Sequence, residues 1–522
     1  MSDVKVAQES ARGTLILLVG NLSYTAITAV TAVLLARLLG PTGYGTYTLA
    51  FVVPSLLSLF VGLGVNISVT RYVAYYVSTG EVERAKSFTR SATGFLLVFG
   101  LLISVANFYG ASYLVDSLLN RPQLVPDVQV ASLFILGQAV SGSATSVFVG
   151  WTSMVELSAF TVLQAVFKLV LTIGLILAGF GVLGAVVGHT LSYLAQGAMA
   201  TVFLYVAHMR PWSSEGNKFL SDTRLMLSHG LPLYAGNVVS GLASQYVTII
   251  LATVVANATV GYYQAALNVT IAIAVISGTV TNVLYRSFAA LQGLAGDTST
   301  AFSYAVRYVS LILTPIVLFL ITAATPLFDF LYGPSFSPGI ILLRLVGISY
   351  LPISIGLTVL TPFLNGIGKS RITMLITAAS AVGLAVGGFF FAVSLGLDAE
   401  GIMLGLLVSN VALTGLGIFL IRRYLDIRMP MRPLAGILAA SSIAGLATAV
   451  LPLTGLLSIV ALAIDCVVFT LVYLTVLPLV WGIDGNDIIR LSIAGETMGP
   501  AGTLLNVTLA YERRMLALAR RA

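Results

Sequence analysis

Apolar runs of about 20 residues follow one another along nearly the whole chain, separated by short polar breaks. A run of that length crosses the hydrocarbon core of a bilayer as a helix. The pattern predicts helices near 13–36, 46–70, 91–115, 128–150, 157–180, 182–207, 230–255, 261–285, 304–325, 340–364, 371–395, 401–422, 433–452 and 456–481. The expectation is an all-α polytopic membrane protein with about fourteen transmembrane helices. An even number of crossings puts both termini on one side.

Lys and Arg choose the side, because basic loops stay in the cytoplasm. Twenty-two of the 26 basic residues fall in the tails or in the loops after even-numbered helices, including Arg71, Arg84, Lys86 and Arg90, and Arg422, Arg423, Arg428 and Arg432. Only Arg37 and Arg121 fall on the other side, among Asp116, Asp127, Asp329, Asp398 and Glu400. Both termini are therefore expected in the cytoplasm, in a multi-pass protein of the cell membrane.

Leu34–Phe51, LLARLLGPTGYGTYTLAF, is written twice. Ala36, Gly45, Tyr47 and Ala50 match Ala252, Gly261, Tyr263 and Ala266 in Ile250–Leu267, at an offset of 216 residues. The same offset carries Gly20-Asn21 onto Gly236-Asn237, Gly62 onto Gly278 and Asn66 onto Asn282. Eight ungapped identities point to an internal duplication. Helix 7 then repeats helix 1 in the same direction across the membrane, which makes two six-helix lobes in a parallel pseudo-twofold repeat, followed by two further helices. The domains expected are a tail (1–12), an N-lobe (13–207), a polar linker (208–229), a C-lobe (230–424), helices 13 and 14 (433–481) and a C-terminal tail (482–522). That last tail ends in Leu504–Ala522, where Arg513, Arg514, Arg520 and Arg521 interrupt apolar residues, a pattern suited to a helix on an anionic surface.

Composition narrows the class. The chain is 58% hydrophobic and 9% charged, against about 25% charged residues in soluble domains. A polar Met1–Arg12 ahead of a full-length apolar run gives no cleavable signal. Cys466 is the one cysteine, so neither a disulfide framework nor a cysteine-rich metal site is expected. The net charge of +7 reflects the basic cytoplasmic loops, and no nucleic-acid partner is expected. No P-loop, HExxH or nucleophile elbow is present, so no enzymatic activity and no cofactor are expected. The N-x-S/T triplets at Asn21, Asn66, Asn257, Asn268 and Asn506 fall mostly within spans or on the cytoplasmic side, which makes them poor glycosylation sites.

LARLLGPTGYGTYTLAF and GLGVNISVTRYVA (Gly62–Ala74), with fourteen spans and a six-helix repeat, resemble the polysaccharide-transporter branch of the multidrug/oligosaccharidyl-lipid/polysaccharide exporter superfamily, which includes Wzx-type flippases. The resemblance implies two lobes in a V, alternating access, and passage of a polyprenyl-phosphate-linked oligosaccharide from the cytoplasmic to the outer leaflet. Its implied partners are the lipid-linked oligosaccharide, membrane lipid and the glycan-assembly machinery.

Polar groups at bilayer depth must find water or a partner, so they are the candidates for function. Asn21, Thr25 and Thr28 form a stripe on helix 1, and Asn237, Gly241 and Ser244 stand at the equivalent places on helix 7. They suit a cavity between the lobes, although small polar residues also let helices pack closely. Asn66 and Asn282, with Arg71 and Arg286 just behind, could grip phosphate at a cytoplasmic mouth, although positive-inside topology alone explains both arginines. Lys168 lies inside helix 5 with Gln164 one turn earlier. A central lysine costs ~2.5–3.5 kcal/mol on insertion scales, so it should face water or an anion. Arg344 in helix 10 is the comparable cation of the second lobe, and either residue could snorkel or pair with Glu156 or Asp329 instead. His189 is expected to be a buried hydrogen-bonder, and Asp465 lies outside the repeat.

Three functions compete. A flippase needs a wet path with cations for the headgroup. A cation-coupled antiporter of the same superfamily is expected to carry an embedded carboxylate in its N-terminal lobe, and none lies well inside helices 1–6. A membrane-embedded glycosyltransferase would need acid/base or metal-binding carboxylates in a large outer loop, and the outer loops are short.

Overall fold

The computed structural model describes residues 3–210, 218–294, 296–451, 457–496 and 500–519. These are helical almost throughout, with no strand among the described residues. The chain divides into two compact units, Met1–Gln264 and Ala265–Ala522. The first holds α1 (Asp3–Ala50), α2 (Val52–Ser58), α3 (Val65–Ser78), α4 (Val82–Leu119), α5 (Val125–Gly150), α6 (Met154–Leu175), α7 (Gly181–Ala207) and α8 (Phe219–Val254). Helix α9 (Asn257–Val269) spans the division. The second unit continues with α10 (Ile271–Gly293), α11 (Thr298–Thr322), α12 (Ala324–Tyr332), α13 (Ile340–Pro352), α14 (Thr358–Gly366), α15 (Ser370–Phe389), α16 (Asp398–Leu425), α17 (Met431–Ala449), α18 (Ser458–Val476), α19 (Gly485–Glu496) and α20 (Pro500–Ala519).

Twelve stretches are long and apolar enough to cross a membrane. Two of them, Leu15–Ser58 and Met154–Ala207, run to 44 and 54 residues, each enough for two crossings. Each contains a left-handed break, at Gly40 in the first and at Gly179 and Gly181 in the second. The total is again about fourteen crossings, and the protein is a multi-pass membrane protein.

The duplication is visible in the helix boundaries. Asp3 and Phe219, Val82 and Thr298, and Met154 and Ser370 each begin a helix, and each pair stands 216 residues apart. The repeated hinge shows why it is glycine-rich. A Cβ on Gly45 would lie 1.8 Å from the Asn257 carbonyl oxygen, and one on Gly261 would lie 2.1 Å from that of Pro41. The two copies of the motif cross backbone to backbone, and no side chain fits between them.

Three boundaries depart from the sequence reading. The expected loop between helices 1 and 2 is absent: helix runs to Gly40, turns there (φ 66°, ψ 176°), and restarts at Pro41, whose missing N–H costs nothing in a first turn. Helix 2 then breaks again between α2 and α3. Residues 219–229, expected in the linker, are instead the first turns of α8. They are held by Asp222, which is fully buried, forms an ion pair with Arg84 and accepts from Ser91 Oγ at 2.8 Å. Residues 211–217, the rest of the expected linker apart from its ends, lie outside the described residues. The C-terminal tail is a helical hairpin, α19–α20, that packs Ile488 and Leu509 onto Ile437, Phe469 and Tyr473 of α17 and α18.

Candidate functional site

The first unit holds an open cavity of about 390 Å³ between α1, α5, α6 and α7. That volume lies within the range of small-molecule sites. Asn21 and Tyr24 come from α1, Ser141 and Thr145 from α5, Ser158, Thr161 and Gln164 from α6, and Tyr193 and Gln196 from α7. These residues recur at helical spacing (141/145, 157/161/164, 193/196), so each helix presents one polar stripe to a common interior. The lining is neutral. It offers amides and hydroxyls and no carboxylate.

Gln164 is buried and its Nε2 donates to Ser192 Oγ at 3.2 Å. Ser192 Oγ donates in turn to the His189 carbonyl at 2.6 Å. Gln196 is buried with an Oε1 that has no partner among the described residues. A buried amide oxygen left unpaired costs about 1–3 kcal/mol, so this acceptor is a natural partner for a ligand hydroxyl or water. Lys168 stands one turn from Gln164 on α6, half-buried, with no hydrogen bond or ion pair to its ammonium among the described residues. Glu156, which begins the same helix, does not pair with it.

His189 has the structural place expected of it. Its Nδ1 lies 2.8 Å from the hydroxyl of Tyr47, the tyrosine of the repeated hinge. Its ring packs 4.3 Å from that of Phe51 and 5.4 Å from that of Phe134. The hinge is thereby tied to α7 just below the cavity. At the hinge itself, Arg121 Nε donates to the Ala252 carbonyl at 2.8 Å, and its Nη atoms bond Val255 O and Asn257 Oδ1. Asn257 Nδ2 donates to Thr46 Oγ1 at 2.9 Å. Helix α8 ends with free carbonyls, and a guanidinium is a good match for them.

Of the residues singled out from sequence, the cavity brings together Asn21 and Gln164, with Lys168 on the next turn. The others stand apart. Asn66 sits at the start of α3, with Oδ1 buried and without a hydrogen-bond partner among the described residues. Arg71 is exposed, with Nη1 3.1 Å from His229 Nε2. Asn237 is exposed on α8. In the second unit, Asn282 and Arg286 are exposed on α10. Arg344 is exposed and donates to Thr325 Oγ1 at 3.2 Å, not to Asp329. Tyr24, Tyr193 and the Ser141–Thr145 pair join the lining without standing out in the sequence, where their helical spacing is the available signal. No group of three or more metal-ligating side chains occurs among the described residues.

Comparison with known proteins agrees with this architecture. No curated protein sequence matches the chain. Among solved structures, it resembles the lipid II flippase MurJ in an inward closed conformation, with a TM-score of 0.72 at 14% identity, covering 88% of this chain and 98% of that one. It also resembles an inward-facing multidrug resistance MATE family transporter of the MOP superfamily (TM-score 0.64, 18% identity, 77% and 94% covered). A MOP superfamily transporter from Pyrococcus furiosus, described by the reverse polarity of its binding pocket, gives a TM-score of 0.54 at 18% identity, with 80% and 95% covered. These likenesses show the fold. A family model described as polysaccharide biosynthesis protein matches residues 34–340, more than half of the chain. The chain belongs to the polysaccharide biosynthesis protein family, built on the MOP superfamily fold.

Proposed function

We propose that the protein is a flippase that moves a polyprenyl-phosphate-linked oligosaccharide from the cytoplasmic to the outer leaflet by alternating access. The observation that carries this reading is the neutral, amide- and hydroxyl-lined cavity of the first unit, with Lys168, which has no acidic partner among the described residues, one turn along α6 from the lining residue Gln164. Sugars present hydroxyls, which Asn21, Gln164 and Gln196 can meet as donors and acceptors. The phosphate linkage presents negative charge, which an ammonium can meet as a point charge. The polyprenyl tail remains in lipid and needs no polar path. A cation-coupled antiporter would want a carboxylate where this cavity has none.

The family and the solved lipid II flippase support the substrate class, and 22 of the 26 basic residues support a cytoplasmic placement of both termini. The domain plan carried forward is two repeats followed by α17–α18 and a cytoplasmic hairpin. Partners in this reading are the lipid-linked oligosaccharide, membrane lipid and the glycan-assembly machinery.

Two experiments test the reading. With Cys466 replaced, single cysteines at Ser78 and Ser214 should react only from the cytoplasm, and those at Asn120 and Asp398 only from outside. External labelling at Ser214 would reverse the orientation. In proteoliposomes, a fluorescent polyprenyl-diphosphate oligosaccharide should exchange between leaflets and become open to an external glycosidase. Drug efflux driven by an ion gradient, without leaflet exchange, would move the protein to the antiporter class.

A further inference from the structure

The second unit has a site that the transport reading does not use. At its centre is Arg307 of α11, 8% exposed, an ion pair partner of both Asp484 (3.2 Å) and Asp487. The two aspartates cap each other at the start of α19: Asp484 N donates to Asp487 Oδ2 and Asp487 N to Asp484 Oδ1, both at 2.9 Å. Tyr308 donates its hydroxyl to Asp487 Oδ1 at 3.2 Å, and Arg490 lies over the Tyr304 ring at 4.1 Å. The first turn of the C-terminal hairpin is thereby fastened to α11, with the Arg307 charge fully neutralised.

Beside this fastening lies a cavity of about 470 Å³. Its polar edge is Arg432 together with Arg307 and the Asp484 carboxylate that pairs with it, so that Arg432 carries the one charge left over on the lining, and its walls include Leu479, Trp481, Ile483 and Leu516. Arg432 is a different kind of cation from Arg307. It has no acidic partner among the described residues, and its guanidinium lies over the Trp481 ring at 4.6 Å. A stacked guanidinium keeps its N–H edge free, in the fork geometry that suits a phosphate. Trp481 is exposed in the turn where the chain leaves α18, and a tryptophan in that place marks the membrane–water interface.

The cavity thus joins an uncompensated cation to apolar walls at the cytoplasmic level of the bilayer. A soluble anion would leave the walls of Leu479, Ile483 and Leu516 wet. A neutral lipid would leave Arg432 without an anion. We infer that this cavity binds the phosphate headgroup and upper acyl region of an anionic glycerophospholipid of the cytoplasmic leaflet. Basic pockets at this level are the usual seats for such headgroups. Because Leu516 of α20 forms one wall, the bound lipid also joins the hairpin to the membrane helices. The site depends on the cytoplasmic orientation proposed above but not on the flippase reading.

The test reads lipid binding, so it is independent of transport. The full chain carrying Trp151→Phe and Trp212→Phe keeps Trp481 as its single tryptophan. In nanodiscs, phosphatidylglycerol with brominated chains should quench Trp481 more strongly than brominated phosphatidylcholine. The expected preference is about fivefold, the worth of one basic residue at an anionic surface (~1 kcal/mol). Arg432→Gln should reduce that preference to near unity, while Arg423→Gln, at an exposed arginine that does not line the cavity, should leave it unchanged. Leu516→Phe, which fills the cavity with its charges intact, should lower quenching by both lipids and serves if Arg432→Gln is poorly produced. Equal quenching by the two lipids, or a preference that survives Arg432→Gln, would overturn the assignment. Relief of quenching by free glycerol phosphate would make the ligand a soluble anion and would equally overturn it.

Discussion

Two hairpins, α6–α7 in the first unit and α15–α16 in the second, are copies of one design used for different ends. Each first helix ends in a widened turn, Ile176–Phe180 in one and Phe390–Ser394 in the other. Each second helix carries glycines four apart, Gly184 and Gly188 or Gly401 and Gly405. A Cβ on Gly188 would lie 2.6 Å from Thr172 N, and one on Gly405 would lie 2.5 Å from Gly388 N. Such small-residue faces let helices approach backbone to backbone where the lipid offers no hydrophobic drive. Even the polar bridge recurs: Gln164 reaches Ser192 at 3.2 Å, and Ser409 reaches the Ser380 carbonyl at 2.9 Å. The chemistry does not recur. Leu384 stands where the first copy has Lys168, and Leu406 where it has His189. Packing has been kept in both copies, while charge sits in one. In this reading the first unit handles the polar substrate and the second serves as its scaffold and counterpart.

The largest effect should come from the shared packing. Gly188→Val and Gly405→Val each place methyl groups against backbone that cannot move aside. Each should cost at or above the upper end of the roughly 1–3 kcal/mol usual for overpacking. Folded protein recovered from membranes, and its melting temperature, should fall comparably for both. A tolerated Gly405→Val would mean that the second hairpin is not built on the same contact.

A smaller asymmetry is expected at the turns that lead into α5 and α13. Arg121-Pro122 of the first repeat corresponds to Ser337-Pro338 of the second, 216 residues on. Arg121 satisfies two terminal carbonyls of the α8 turn and the Asn257 side-chain carbonyl, whereas Ser337, among the described residues, bonds the Pro334 carbonyl of its own turn, at 2.7 Å. Arg121→Ala should therefore destabilise the protein by about 1.5–3 kcal/mol, the worth of a charge-assisted hydrogen bond. Ser337→Ala should fall within about 0.5 kcal/mol, as surface changes do. Thermal unfolding in detergent measures both.

The most local effect belongs to the hairpin that has no counterpart in the repeat. Glu512 of α20 is 1% exposed, and neither carboxylate oxygen has a partner among the described residues. Burial raises its carboxyl to about 8. The docked hairpin therefore holds the proton more tightly than the undocked one. Its stability is greatest below about pH 4.5, declines as pH rises toward 8, and loses nothing further above that. Limited proteolysis of the hairpin should accelerate across this window. Glu512→Gln should abolish the pH dependence, and an unchanged dependence would assign it to another group.

Much of the fold was legible because membrane helices announce themselves by length and apolarity, and because eight identities at one offset survive in the repeat. The breaks were less legible. Hydropathy carries no backbone angle, so Gly40 and the α2–α3 break lie hidden inside apolar runs. Residues 219–229 looked like a linker because their partners are distant: Asp222 is held by Arg84 and Ser91, well over a hundred positions away. The tail looked like a free interfacial helix because the Arg307–Asp487 ion pair joins elements remote in sequence. In the site, Gln164 and Lys168 stood out as polar groups in an apolar helix, whereas Tyr193 did not, since a tyrosine in a span reads as packing. Arg344 stands out as a cation near the end of an apolar run, whereas its exposure and its hydrogen bond to Thr325 depend on packing that hydropathy does not carry.

The most direct test of the account is Lys168. Wild type, Lys168→Arg and Lys168→Met would be compared for accumulation of lipid-linked oligosaccharide on the cytoplasmic leaflet in cells depleted of the native protein, normalised to membrane abundance. If the cation beside the cavity holds the phosphate linkage, Lys168→Arg keeps part of the activity because charge survives. Lys168→Met should insert normally, since removing an embedded charge does not hinder insertion, and should lose most transport. Full transport by Lys168→Met at wild-type abundance would contradict the account.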